Sequence, residues 1–170
     1  MRNDLLEDCP QIRRVFADEE KDKNRNNEIF AFVGRKTGPE NGYIYQYRLN
    51  GNGEFVTANK VREFGKYSGK KEIESIVVDD ELGYVYYSDE NIGVRKYHAD
   101  AEKGNEELAL FATKGVKEDH EGLFIYQEKK GRGYSILSDQ QANQFHLFTR
   151  EGSRENPHDH QLVRTVAVKT

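Results

Sequence analysis

Glu118, Asp119 and Glu121 crowd around His120 in the stretch "KGVKEDHEGLFIYQ" (residues 114–127), directly before an apolar run that reads as a buried strand. In extended chain, residues two apart share a face, so Asp119 and Glu121 point together while His120 points away. Two carboxylates about 5 Å apart repel by roughly 3 kcal/mol at an effective dielectric of about 20. Several gathered in one place therefore favour a cation. Acidic residues at strand ends also occur as solvated turn residues, and the spacing alone leaves both readings open.

The elements that would position these acids are short and aromatic. From residue 28 onward, runs such as "EIFAFVG", "YIYQYRL", "EIESIVVDD", "GYVYYSD", "EGLFIYQ" and "NQFHLFTR" are separated by Gly, Asp and Asn clusters, the usual punctuation between strands. Nineteen Tyr and Phe residues, no Trp and three prolines suit pleated strands better than a helical bundle. The chain is expected to be all-β. Residues 1–27, with "ADEEKDKNRNN", lack either periodicity and read as a charged irregular lead, with "QIRRVF" a possible short strand in it.

The strands also repeat. "GYVYYSDENIGVRKYHAD" from Gly83 has a counterpart in "GYSILSDQQANQFHLFTREG" from Gly133, and each follows an acidic-start apolar strand. A period of about 50 residues with four strands per unit predicts a β-propeller of four-stranded antiparallel blades. The pieces fall at about 28–66, 72–113 and 119–168, two and a half to three blades in a domain spanning 28–170. So few blades cannot close a ring, so the chain is expected to be a fragment or to self-associate through open blade edges.

In this scheme Glu74 starts one inner strand as Asp119 and Glu121 start the next, and Glu90, in the turn after "YYSD", reaches the same end. All are oxygen donors, with no Cys and no His at metal-ligand spacing nearby. Calcium takes six to eight flexible oxygens and suits such a set better than zinc. "NPHDH" places His158 and His160 on one side of an extended segment without further ligands, and His98, His120 and His146 read as strand or turn residues. The repeated tyrosines, Tyr84, Tyr86, Tyr87 and Tyr97, read as packing between sheets.

Composition excludes other classes. A net charge of −4 gives no basic footprint for nucleic acid, and no apolar run approaches a membrane span. The lone Cys9 excludes an internal disulfide, and "MRNDLLEDCPQIRR" has no signal-peptide apolar region.

The strings "FAFVGRKTGPENGYIYQYRL", "KVREFGKYSGKKEIESIVVDDELGYVYYSDENIGVRKYHAD", "GNEELALFATKGVKEDHEGLFIY" and "SDQQANQFHLFTREGSRENPHDH" closely resemble the β-propeller phytases. The resemblance runs from about Glu28 to the C-terminus. It implies a six-bladed, calcium-dependent phosphatase acting on myo-inositol hexakisphosphate (phytate), secreted or held in the bacterial envelope. Against that pattern the chain is expected to be about half of the architecture, without opening blades, export signal or segments beyond "VAVKT". The resemblance places calcium-binding carboxylates at Glu74, Glu90, Asp119 and Glu121, with Glu90, Asp119 and Glu121 catalytic. It places phosphate-binding residues at Lys36 and Arg35, and also at Gln140 and Asn143. Ser75 stands where the family often has Gly. Hydrolysis would proceed by metal-activated water without a covalent intermediate. The alternative class is a catalytically incomplete fragment serving as a structural or interaction module.

Overall fold

The computed structural model describes residues 12–21, 27–116 and 120–168, which form twelve strands in three sheets. Each sheet is a consecutive antiparallel meander. The first holds β1 (Ile12–Lys21), β2 (Asn27–Arg35), β3 (Asn41–Gly51) and β4 (Val56–Lys66). The middle one holds β5 (Ile73–Asp79), β6 (Tyr84–Asp89), β7 (Gly93–His98) and the short β8 (Ala109–Phe111), with a 3-10 turn over Ala101–Lys103. The third holds β9 (His120–Lys129), β10 (Arg132–Asp139), β11 (Gln144–Thr149) and β12 (Leu162–Ala167). Among the described residues no helix is long and apolar enough to cross a membrane.

The middle sheet is covered on both faces, which explains why "YVYYSD" is buried almost throughout instead of alternating with exposed positions. Val85 and Tyr87 point to one side, where Phe32, Tyr43, Ile44 and Phe64 of the first sheet meet them. Tyr86 points to the other, against Leu137 and Phe148 of the third sheet. Ring contacts hold both layers: Tyr87 stacks on Tyr97 at 5.7 Å, and Phe111 meets Phe148 edge-on at 5.3 Å.

Polar side chains staple the sheets together. The Arg62 guanidinium donates to the carbonyls of His98, Asp100 and Gly104, and Gln46 donates to the carbonyl of Ala99, joining first sheet to middle. Arg150, fully buried after β11, donates to both carboxylate oxygens of buried Asp79 at the end of β5 and also to Glu81.

The chain is all-β, but the expected propeller is not what the strands build. The three sheets are separate, none closes into a barrel, and together they form no closed ring. Closure needs the last sheet to cover the first. Instead β5 packs between β1 and β9, and the far face of the third sheet stays in solvent, with Phe124 61% and Tyr126 49% exposed. β1 also runs into the stretch read as an irregular lead. Its ladder to β2 extends from Ile12↔Arg35 to Lys21↔Asn27, and a backbone ladder forms without an apolar pattern.

The histidines of "NPHDH" hold the segment after β11 onto the middle sheet. His160 Nδ1 donates to the carbonyl of Thr149 (2.6 Å), leaving Nε2 to accept from buried Lys96 Nζ (3.1 Å), which also donates to the carbonyl of Pro157 (2.8 Å) and lies 3.8 Å from the Tyr84 ring centre. Burial, and then the neighbouring Lys96 charge, pushes His160 down to about 4, while burial pushes Lys96 down to about 8. Both folded values lie below the unfolded ones, so the unfolded chain binds the extra proton between about pH 6.5 and 4 for His160, and between about 10.5 and 8 for Lys96. Stability therefore falls as pH drops through either window. Unfolding free energies from urea titrations at pH 7 and 4.5 are expected to differ by on the order of 2 kcal/mol from His160 alone. His160→Gln should flatten that slope, and an equally steep slope in the variant would refute the assignment.

Candidate functional site

Strand ends converge at one end of the sheets, where β5 and β9 begin and β2, β6 and β10 finish. Glu74 and Glu121 are each the second residue of the first strand of their sheet. Lys36, Glu90 and Gln140 each immediately follow a second strand, β2, β6 and β10 respectively. The middle and third sheets build this end with the same bonds. Ser88 Oγ accepts from the amide of Ser75 (3.0 Å), and Ser138 Oγ accepts from the amide of Gly122 (2.8 Å). Ser75 Oγ in turn accepts from the amide of Leu123 (2.9 Å), tying β5 to β9. The hydroxyl that a glycine would lack thus links the two carboxylate-bearing strands.

Each second strand of these two sheets ends in a buried aspartate. Asp89 accepts from the amide and hydroxyl of Ser68 (3.0 and 2.7 Å) and from Arg95 Nε (2.8 Å). Asp139 accepts from the amide of Ala142 (3.2 Å) and lies 3.3 Å from His146 Nε2. These bonds fix the turns that carry Glu90 and Gln140.

A cavity of about 510 Å³ opens at this end of the third sheet. Glu121, Ser138, Asp139, Gln140, Asn143 and Gln144 supply its polar lining, with Phe145 and Val168 as the apolar wall. That volume lies in the range of roughly 300–1,000 Å³ usual for small-molecule sites. The cavity thus brings together three residues singled out from sequence, Glu121, Gln140 and Asn143. Asn143 reaches it through a left-handed backbone, φ 50°, which Asn tolerates better than most residues.

The other candidates lie outside this lining. Glu90 is buried and accepts from Lys71 Nζ at 2.6 Å, so its charge is already partly balanced. Glu74 is half-buried on β5. Lys36 is half-exposed. Arg35 donates to the carbonyls of Gly42 and Tyr43 and lies 4.5 Å over the Tyr45 ring, so its guanidinium supports the β2–β3 connection. Asp119 falls outside the described residues. Among the described residues no three His, Cys, Asp or Glu side chains gather as a metal-holding group. The donors that line the cavity are nonetheless carboxylate, amide and hydroxyl oxygens, the chemistry a hard cation takes.

Sequence reasoning missed Ser138, Asp139 and Gln144. The signal for the first two was present in the Ser-Asp pair repeated at 88–89 and 138–139.

A family model described as Phytase matches residues 12–168. A 3-phytase of Bacillus subtilis (strain 168) is 34% identical over 125 residues, which is 72% of this chain and 32% of that relative. The chain therefore spans about a third of the length of this curated relative.

Proposed function

The chain belongs to the phytase family, and on that premise we propose that it contributes to calcium-dependent hydrolysis of phosphate monoesters on phytate. The observation that best supports this reading is the cavity that gathers Glu121, Gln140 and Asn143 at one mouth. Phytate carries on the order of −9 to −12 charge near neutral pH, from six monoesters at about −1.5 to −2 each. A carboxylate-lined mouth alone would repel it. Calcium held by Glu74, Glu90, Asp119 and Glu121 would reverse that field and acidify an attacking water.

The chain's own residues supply the rest. The side-chain amides of Gln140 and Asn143 donate to phosphate oxygens at the cavity rim. Lys36 adds a point charge at the end of β2, whereas Arg35, already committed to backbone carbonyls and Tyr45, holds the β2–β3 turn in shape. Ser138 Oγ accepts from Gly122, which leaves its hydroxyl proton for a ligand oxygen. Phe145 and Val168 close the apolar side and limit water access. A secreted or envelope location goes with this reading.

Phosphate release from phytate, followed with calcium and with the calcium chelator EGTA, tests it. Release that rises with calcium and stops with the chelator is the expected result. A protein inert at every calcium concentration would favour the second reading, a scaffold or interaction module. The uncovered apolar face of the third sheet and the partial coverage of the longer relative are the features that favour it.

A further inference from the structure

We propose that His146 is a positioning residue for the cavity, acting through Asp139 to hold the turn that presents Gln140 and Asn143. His146 is buried on β11, opposite Leu137 of β10. Its Nδ1 lies 3.0 Å from Thr165 Oγ1 on β12, and its Nε2 lies 3.3 Å from Asp139 Oδ2. A carboxylate can only accept, so Nε2 carries the proton and Nδ1 accepts from the Thr165 hydroxyl. The other carboxylate oxygen of Asp139 accepts from the amide of Ala142, inside the turn. The turn is closed by the amide of Asn143 donating to the carbonyl of Gln140 (3.2 Å), and the amide of Val168 donates to the carbonyl of Asn143 (2.8 Å). Thr165, His146, Asp139 and Ala142 therefore form one line of hydrogen bonds from the edge strand to the cavity rim.

The middle sheet shows what this line replaces. Arg95 occupies the same register there, opposite Tyr87, and donates to Asp89, the residue before Glu90. A planar, permanently charged fork holds one turn, and an imidazole oriented by a hydroxyl holds the other. His120 pairs with Asp139 across β9 and β10 but directs Nε2 to the carbonyl of Ala112 at 2.9 Å. It belongs to the packing beneath the turn. Loss of a donor to a buried carboxylate weakens the network it belongs to, and one member of that network is the amide at the centre of the turn.

The link to catalysis rests on the reading of the cavity as a phosphate-ester site, whereas the hydrogen-bond line does not. Three variants separate the two: His146→Leu, which removes both nitrogens; His146→Gln, whose amide keeps a donor near the Nε2 position; and Thr165→Val, at an exposed position on β12. Amide hydrogen exchange at Ala142, read against Tyr86 in the middle sheet, reports the turn without any substrate. Exchange at Ala142 is expected to quicken about tenfold in His146→Leu, to return towards the parent rate in His146→Gln, and to quicken a few-fold in Thr165→Val, with Tyr86 unchanged. The KM for phytate should rise about tenfold in His146→Leu with kcat nearly constant, and recover in His146→Gln. If His146→Leu does not fold, the Thr165→Val comparison carries the test. Exchange at Ala142 as slow in Thr165→Val and His146→Leu as in the parent overturns the proposal. Faster exchange at Ala142 with no phosphate release from any protein, parent included, supports the positioning role and removes the phytase reading instead.

Discussion

Glu121→Gln is expected to lower calcium-dependent phosphate release from phytate by on the order of 100-fold while leaving the thermal midpoint nearly unchanged. The replacement keeps the shape of the side chain and removes its charge. Loss of the partners that merely support a metal ligand costs about 10–100-fold in affinity or activity, and a ligand itself should reach the upper end of that range. Glu121 is half-buried at the cavity rim, so no core packing is lost. Initial rates across a calcium titration check the result. The half-saturating calcium concentration should shift upward together with the loss of rate, since the proposal gives one side chain both roles. Parent-like rates at low calcium would remove Glu121 from the site.

Arg150→Met is expected to destabilise the fold by about 3–5 kcal/mol, the usual cost of leaving one partner of a buried ion pair uncompensated. Arg150 and Asp79 are both fully buried, and the guanidinium engages the carboxylate as a two-pronged fork, with Nε at 2.6 Å. Those bonds raise the guanidinium pKa above its ordinary value, so Arg150 keeps its charge. Urea unfolding read by circular dichroism measures the loss, and the thermal midpoint should fall by roughly 10 °C. The double variant Arg150→Met/Asp79→Leu should recover most of it, because two apolar groups fill the site without a stranded charge. A single variant less than about 1 kcal/mol weaker than the parent would show that water already reaches Asp79.

Most strands could be read from the sequence because their turns are written in glycine and in Asp or Asn. Gly133, just past the turn, shows how firmly: at φ 147°, a Cβ there would lie 1.9 Å from the carbonyl oxygen of Tyr126, so only glycine fits this irregularity in the β9–β10 ladder. Tyr86, Tyr87 and Tyr97 were legible as packing between sheets, since tyrosines on both sides of one strand need two covered faces. β1 was not legible along its length, because "ADEEK" has strand hydrogen bonds without strand composition. The propeller arrangement of the sheets was misread for a different reason. The repeat reports what each sheet is made of, whereas closure depends on what covers the outermost faces, and no local pattern carries that information. At the candidate site, strand periodicity placed Glu121, and the family resemblance supplied Gln140 and Asn143. Arg35 was drawn aside by Tyr45, a neighbour across the β2–β3 ladder whose pull only the folded register reveals.

The tie from Ser75 to Leu123 makes β5 and β9 a common beam. The middle sheet, gripped from both sides, is the least able of the three to tilt, and Glu121 is fastened to it at the root of its strand. The backbones that carry Glu74 and Glu121 are therefore held at one separation, whatever the two side chains do.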